Sequence, residues 1–484
     1  MYNITIDQST FSTKAILFDD KANVVGRINK AHRQITPCAG WVEHDPEEIY
    51  ENLKWAVKEL LEANGVPSEE IQYLSITNQR ETTVVWDETG KPAYHAIVWQ
   101  CARASEITER PEIATHGESI KSLSGMNLSP YFSAAKARWI KENTAPGRKL
   151  YFGTMDSWLI FKLTGNHVTD YSNASRTQLM NLKELCWDDD LVGIFGLEDM
   201  VLPKILPSDS IFGETDLDGV FHKKVPVCGV MGDSHGALFG QHCWKPGMGK
   251  CTFGTGSSVM VNIGDVPLLS DEGLATSVAW NLSGKTQYVY EGNINCTGDT
   301  LNWLQNEMEI LPDAMLSEEY ATKVEENYGV YLVPAFLGLG APYYDAEARG
   351  IICGLFRNAN KYHIVRAALE SIAYQINDIL LLMKKKMSLE ELRVDGGATR
   401  NAFLMQFVSD ICQVGIVKNQ IEELSALGAY YAGGLGTGMF QNREEIEKLY
   451  RADRIYRPKM ERQKADLFYT GWQKAVTKAR ANCS

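Results

Sequence analysis

The 484-residue chain has ten cysteines but no Cys-x-x-Cys pair. They stand at 38, 101, 186, 228, 243, 251, 296, 353, 412 and 483, mostly among apolar neighbours, which argues against a zinc site or disulfide framework and for reduced thiols. No apolar run reaches the length of a membrane span, and the opening YNITID enters a strand pattern without the basic and apolar regions of a signal peptide. A soluble, cytoplasmic protein is expected. A basic stripe is also missing. The net charge is −13 and the pI near 5.3, so neither nucleic acid nor an anionic membrane is an expected partner, and small molecules are. There is no Gly-x-x-x-x-Gly-Lys-Ser/Thr loop and no Gly-x-Gly-x-x-Gly opening a helix, which disfavours P-loop and dinucleotide folds. No Gly-x-Ser-x-Gly element is followed by a suitable acid and histidine, which weakens an esterase reading.

What the chain does contain is strand, polar turn and strand, twice. Residues 2–7 and 15–18 flank QSTFSTK, and KPGMGKCTFGTGSSVMVNIG (245–264) repeats the arrangement, hinting at a duplicated unit. This length exceeds one ordinary core, so two domains are expected, 1–245 and 246–484, with a hinge near 240–250. After Asp45 and Pro46 comes an amphipathic helix with Ile49, Leu53, Val57 and Leu60 on one face, ending before Gly65. IQYLSITNQRETTVVWD reads as one strand with Asn78, Gln79, Arg80 and Glu81 at its polar end. HIVRAALESIAYQINDILLLMKKK is the longest helix pattern, its final lysines a solvated end; SALGAYYAGG is a small-residue helix suited to close packing.

Three turns after strands could cradle phosphate through backbone N–H groups: Asp7-Gln8-Ser9-Thr10, Gly254-Thr255-Gly256-Ser257 and Asp395-Gly396-Gly397-Ala398. GVMGDSHGALFG (229–240) ends an apolar strand in Asp233, delivering a carboxylate to a sheet edge.

Longer segments carry a resemblance. GWVEHDP (40–46), ITNQRETTVVWD (76–87), AIVWQ (96–100), NASRT (173–177), ALFGQ (237–241), VPAFLGLGAPY (333–343), ALESIAYQ (368–375) and RVDGGA (393–398) resemble the FGGY family of carbohydrate kinases over essentially the whole chain. The resemblance implies an α/β fold of two actin-like, ribonuclease-H-like domains flanking a catalytic cleft, with ATP and Mg²⁺ as cofactors. It implies phosphorylation of a primary hydroxyl of a small polyol, glycerol first and a four- or five-carbon polyol or ketose as the alternative. It also implies a homodimer or homotetramer. By position, Asp233 resembles the general base, Asp7 the aspartate near Mg²⁺, and Thr10, Gly254 and Thr255 the lining of the β- and γ-phosphates. Gly298, Gly397, Ala398 and Asn401 resemble residues around ADP; Arg80, Glu81, Trp99 and Tyr131 resemble the acceptor pocket.

The chain departs from the pattern it most resembles in four places. Ser234 and His235 follow the base where Gln is usual, and the first loop reads DQSTFSTK, with Ser9, Phe11 and Lys14 replacing Gly, Thr and Arg. Ala102 stands where arginine is common, and Ala137 replaces a larger apolar residue. Ser234 leaves room beside the base, and His235 is expected to hydrogen-bond substrate or to support structure.

Overall fold

The computed structural model describes residues 1–144, 147–336, 338–345, 347–389 and 391–481. Cys483 and Leu337 of VPAFLGLGAPY lie outside them. Nine described cysteines are free thiols. No helix among the described residues is long and apolar enough to cross a membrane.

Two sheets organise the chain. The first comprises β1 (Tyr2–Gln8), β2 (Ser12–Asp19), β3 (Val24–Ala31), β4 (Ile71–Asn78), β5 (Ile211–Thr215) and β6 (Val225–Gly232), in the order β5-β6-β4-β1-β2-β3. The second comprises β7 (Met248–Phe253), β8 (Ser257–Gly264), β9 (Ala275–Leu282), β10 (Lys285–Ile294), β11 (Glu391–Gly396), β12 (Gly415–Asn419) and β13 (Ala452–Tyr456), in the order β9-β10-β8-β7-β11-β12-β13. Antiparallel β1/β2 and β2/β3 with parallel β1/β4 and β4/β6 reappear as antiparallel β7/β8 and β8/β10 with parallel β7/β11 and β11/β12. The strand-turn-strand repeat is thus a repeat of sheet topology; β13 lies antiparallel to β12 as β5 does to β6, and only β9 is an addition at the second sheet's edge.

Helix α1 (Pro46–Asn64) forms as its caps dictate. Asp45 accepts from the Glu47 and Glu48 N–H groups, Gly65 closes the end at φ 61°, and Ile49, Leu53, Val57 and Leu60 are buried. The reading of residues 71–87 as one strand needs correction. The strand stops at Asn78, and Thr83–Asp87 joins a separate four-stranded sheet. Between them Glu81 takes φ 61°, a left-handed conformation that no strand can carry.

Helix α2 (Asp233–Gly240) follows β6 directly. Helix α3 (Lys361–Lys384) is buried nearly all round. Its end is not simply solvated: Lys385 pairs with Glu272 at 2.7 Å, and Lys384 Nζ donates to the Cys412 carbonyl at 2.6 Å. Helix α4 (Ala402–Cys412) follows the turn after β11, and α5 (Leu424–Gly436) is the small-residue helix.

The second half contributes α5, yet it packs on α2 and on β6, β4 and β1 of the first sheet. Glycine makes this possible, because a Cβ at Gly428 would overlap the Gly236 carbonyl oxygen. Phe18, Tyr73, Leu238, Trp280, Leu427 and Tyr430 consequently share one buried cluster drawn from both halves. Sheet membership changes between Gly240 and Met248, but the core runs across that point.

Candidate active site

The polar ends of β1, β4 and β6 lie side by side, and most of the chemistry-bearing residues gather there. Asp233 is the first residue of α2, a position where the helix N-terminus favours a carboxylate. Its side chain is 38% exposed, so it can meet a substrate. Oδ1 accepts from the Ser234 N–H at 2.6 Å and from Arg80 Nε at 3.1 Å.

Arg80 is nearly fully engaged. Its Nη1 and Nη2 donate to Glu291 Oε2 and Oε1 at 2.9 and 2.8 Å, and Nη2 also donates to Ser234 Oγ at 3.3 Å. Of the five guanidinium protons, one on Nη1 takes no part in these bonds. Glu291 also receives Arg176 Nη1 at 2.9 Å, while Arg176 Nε donates to Glu81 Oε1 at 2.5 Å. Asp233, Arg80, Glu291, Arg176 and Glu81 thus form a continuous row of alternating charge. Burial alone would raise the Glu291 carboxyl, but Arg176 and Arg80 outweigh it and hold it well below the usual carboxylate range. Removing one member of such a buried row strands its partner, which typically costs about 3–5 kcal/mol.

Glu81 holds its left-handed φ while buried, a strained conformation of the kind that clusters at functional sites. Trp99 and Tyr131 meet edge to face, ring centroids 5.5 Å apart. Trp99 Nε1 donates to Thr10 Oγ1 at 3.0 Å, so the first phosphate-type loop and the aromatic wall touch directly. Lys136 lies beneath, donating to the carbonyls of Tyr131 and Phe132.

Of the two roles expected for His235, a hydrogen bond to substrate or structural support, the structure favours the second. The structure does not bring His235 to the cleft: it is fully buried, with Nε2 3.2 Å from Ser277 Oγ. Burial, then Arg80, holds its imidazole well below the ordinary value, so it is a neutral packing residue. The run Gly232-Asp233-Ser234-His235-Gly236 does have Gly-x-Ser-x-Gly spacing, but Ser234 Oγ faces Arg80, and among the described residues no histidine holds it.

On the other side of the cleft, Gly254, Thr255, Gly298, Gly397, Ala398 and Asn401 all line one cavity of about 310 Å³, with Leu301, Leu369 and Leu404 as its apolar wall. The turn is knitted by backbone bonds: Gly298 N–H donates to the Gly254 carbonyl at 3.0 Å and Thr297 N–H to that of Thr255 at 2.9 Å. Gly397 opens the short 3₁₀ turn after β11.

Asp7 is the last residue but one of β1, with Lys14 Nζ 3.8 Å from its Oδ2. Burial pushes its carboxyl up to about 6, and Lys14 opposes the rise. No cluster of three or more His, Cys, Asp or Glu among the described residues could hold a metal. A lone carboxylate oxygen suits Mg²⁺, which keeps most of its waters and relies on substrate phosphates for further ligands.

Sequence reasoning missed Glu291, Lys250 and Ser258. Lys250 is buried with Nζ donating to Thr252 Oγ1 at 2.9 Å and to Ser258 Oγ at 3.4 Å, and Ser258 Oγ donates to Glu291 Oε1 at 3.0 Å. A charged residue in the middle of an apolar strand, as in YVYEGNI, was the available signal.

Two sheets of repeated topology, bridged where Arg80 joins Asp233 to Glu291 of the second sheet, define a two-domain phosphotransfer fold. Residues 2–240 match the N-terminal domain of the FGGY family of carbohydrate kinases and residues 249–437 its C-terminal domain. The chain belongs to that family, whose enzymes phosphorylate an alcohol group. It is 47% identical over 489 residues to a glycerol kinase of Caldanaerobacter subterraneus, covering 99% of this chain and 98% of that one. It is 48% identical over 491 residues to glycerol kinase 1 of Thermotoga maritima, covering 99% of each. The solved glycerol kinase of Plasmodium falciparum with ADP superposes with a TM-score of 0.92 at 35% identity, over 99% of this chain and 98% of that one. A xylulose kinase of Lactobacillus acidophilus shares the fold, with a TM-score of 0.88 at 22% identity over the whole of both chains.

Proposed function

We propose that the protein transfers the γ-phosphoryl group of ATP to a primary hydroxyl of glycerol, giving sn-glycerol 3-phosphate in the cytoplasm. The observation that carries this reading is the Asp233 carboxylate, 38% exposed and held at the start of α2 by Arg80, in a chain whose second half carries the glycine-lined cavity.

In this reading residues 1–245 hold the acceptor and 246–484 the nucleotide. Asp233 accepts the hydroxyl proton as the oxygen attacks phosphorus in line. The remaining Arg80 proton and Glu81 orient the other hydroxyls, and Trp99 and Tyr131 cover the carbon chain. Thr255 and Thr10 donate to the phosphates and Gly254 lines them, while Gly298, Gly397, Ala398 and Asn401 surround the rest of the nucleotide. Asp7 would hold Mg²⁺, which when bound neutralises charge on the β- and γ-phosphates. Coupled ADP release over a panel of polyols and ketoses tests the assignment: release with glycerol is expected, and no release with any acceptor overturns it.

One observation favours a second reading, a longer acceptor. A cavity of about 430 Å³ adjoins the charged row, lined by Tyr131, Arg176, Glu291, Asn293, Asn295 and Tyr344 among others. Glu291 and Asn293 alternate along β10 and so share a face, about 7 Å apart at the usual strand rise, and Asn295 follows just beyond the strand's end. Those amides can meet hydroxyls beyond the third carbon, and faster turnover of a four- or five-carbon acceptor than of glycerol in the same panel selects this reading.

A further inference from the structure

Glu291 belongs to the second sheet, yet its carboxylate is the centre of a charged row whose other four members all come from the first half of the chain. It is 1% exposed and takes both terminal nitrogens of Arg80, which leaves Nε as the edge turned to Asp233. A bidentate fork fixes a guanidinium plane as well as its position. Arg80 and Arg176 repel one another; Glu291 forms an ion pair with each, and Glu81, paired with Arg176, adds a weaker attraction for Arg80.

Glu291 is also tied to the phosphate-binding side. Ser258, which donates to Glu291 Oε1 at 3.0 Å, stands three residues after Thr255 at the start of β8, and Met260 of β8 is registered against Glu291 on β10. A short path therefore joins the Gly254-Thr255 turn through Ser258 and Glu291 to Arg80 and Asp233.

We infer that Glu291 is a positioning residue that couples nucleotide binding to acceptor binding: it carries the placement of the phosphate turn to Arg80, and so sets the clamp around the acceptor hydroxyl. The inference rests on the kinase function proposed above. Coupling of this kind is reciprocal, so each ligand must tighten the other by the same factor.

The test titrates glycerol calorimetrically into the intact protein with and without Mg²⁺ and a non-hydrolysable ATP analogue, and the analogue with and without glycerol. Wild type is expected to bind each ligand at least about fivefold tighter when the other is present. In Glu291→Gln that ratio falls to about one in both directions, while the affinity for the analogue alone stays within about twofold of wild type. Ser258→Ala, which keeps every charge, gives an intermediate ratio, and Glu291→Asp restores part of it. If Glu291→Gln does not give a cooperative melt, Ser258→Ala and Glu291→Asp carry the test. A wild-type ratio of one, or a wild-type ratio retained in the variants, overturns the role of Glu291. Wild type that binds neither glycerol nor a longer polyol overturns the function itself, and this role with it.

Discussion

The two sides of the cleft are built from different materials. The acceptor side is a row of ionised side chains, Asp233, Arg80, Glu291, Arg176 and Glu81, each fixed by the next. The side proposed for the nucleotide is backbone and small residues around an open cavity, where Gly254, Gly298 and Gly397 leave room for close approach. The contrast fits the ligands: a small neutral alcohol needs directional partners held rigidly, whereas a polyphosphate supplies its own charge and needs donors that can approach closely. It also means that the two sides should fail differently when altered.

The largest effect is expected at Asp233. Asparagine keeps the shape but cannot accept the hydroxyl proton, so Asp233→Asn should lower kcat by about 10²- to 10⁴-fold. Nucleotide affinity, a property of the other side, should not change. Turnover near that of wild type would show that another group is the base.

Two neighbouring glycines separate structure from binding on the nucleotide side. Gly396 sits at φ 92°, and a Cβ there would overlap the Phe253 carbonyl, so Gly396→Ala should cost about 1–3 kcal/mol of stability. At Gly397 no heavy atom lies within 4 Å of a built Cβ, and the residue lines the 310 Å³ cavity. Gly397→Ala should therefore leave the denaturation midpoint almost unmoved and weaken ATP by about fivefold or more, because the methyl takes nucleotide volume. If Gly397→Ala binds ATP normally, the cavity is not the nucleotide site.

The same contrast explains what could be read from the sequence. Glycine turns after strands, the Asp45 cap and the strand-ending Asp233 are local signals, and the structure has each where the sequence places it. The charged row is not local. Arg80 and Glu291 are 211 positions apart, and nothing in YVYEGNI says which cation will meet its glutamate. His235 follows the base in the chain but turns behind it, because successive residues of a helix point about 100° apart. The break at Glu81 was hidden for a related reason: its φ of 61° is imposed by surroundings, where a glycine would have announced it.

Ser234 tests how finely the acceptor side is set. Its hydroxyl lies 3.3 Å from Arg80 Nη2, at the edge of hydrogen-bond range, so little is lost by replacing it. In Ser234→Gln the longer amide fills space beside Asp233 and offers a donor to a short acceptor. The expected result is up to about a tenfold shift of kcat/KM toward glycerol and away from four- and five-carbon acceptors. An unchanged ratio would mean that Ser234 does not face the acceptor.

Whether the acceptor side is dry enough to discharge an amine is read from Lys136. Lys136 is fully buried beneath Tyr131, and burial pushes its ammonium from the ordinary 10.5 down to about 7, with Glu81 opposing the fall. Between these values the unfolded chain holds a proton that the folded chain has released, so the unfolded state binds more protons and stability rises with pH. The contribution of Lys136 is then complete above 10.5 and is lost as the pH falls through about 7. Urea unfolding of wild type and Lys136→Met at pH 7, 8 and 9 isolates it, since other titrations are common to both proteins. The difference between them should move in favour of wild type at each step upward. A constant difference would mean that Lys136 keeps its charge in the folded state, and that Glu81 and the Tyr131 and Phe132 carbonyls solvate it as well as water does.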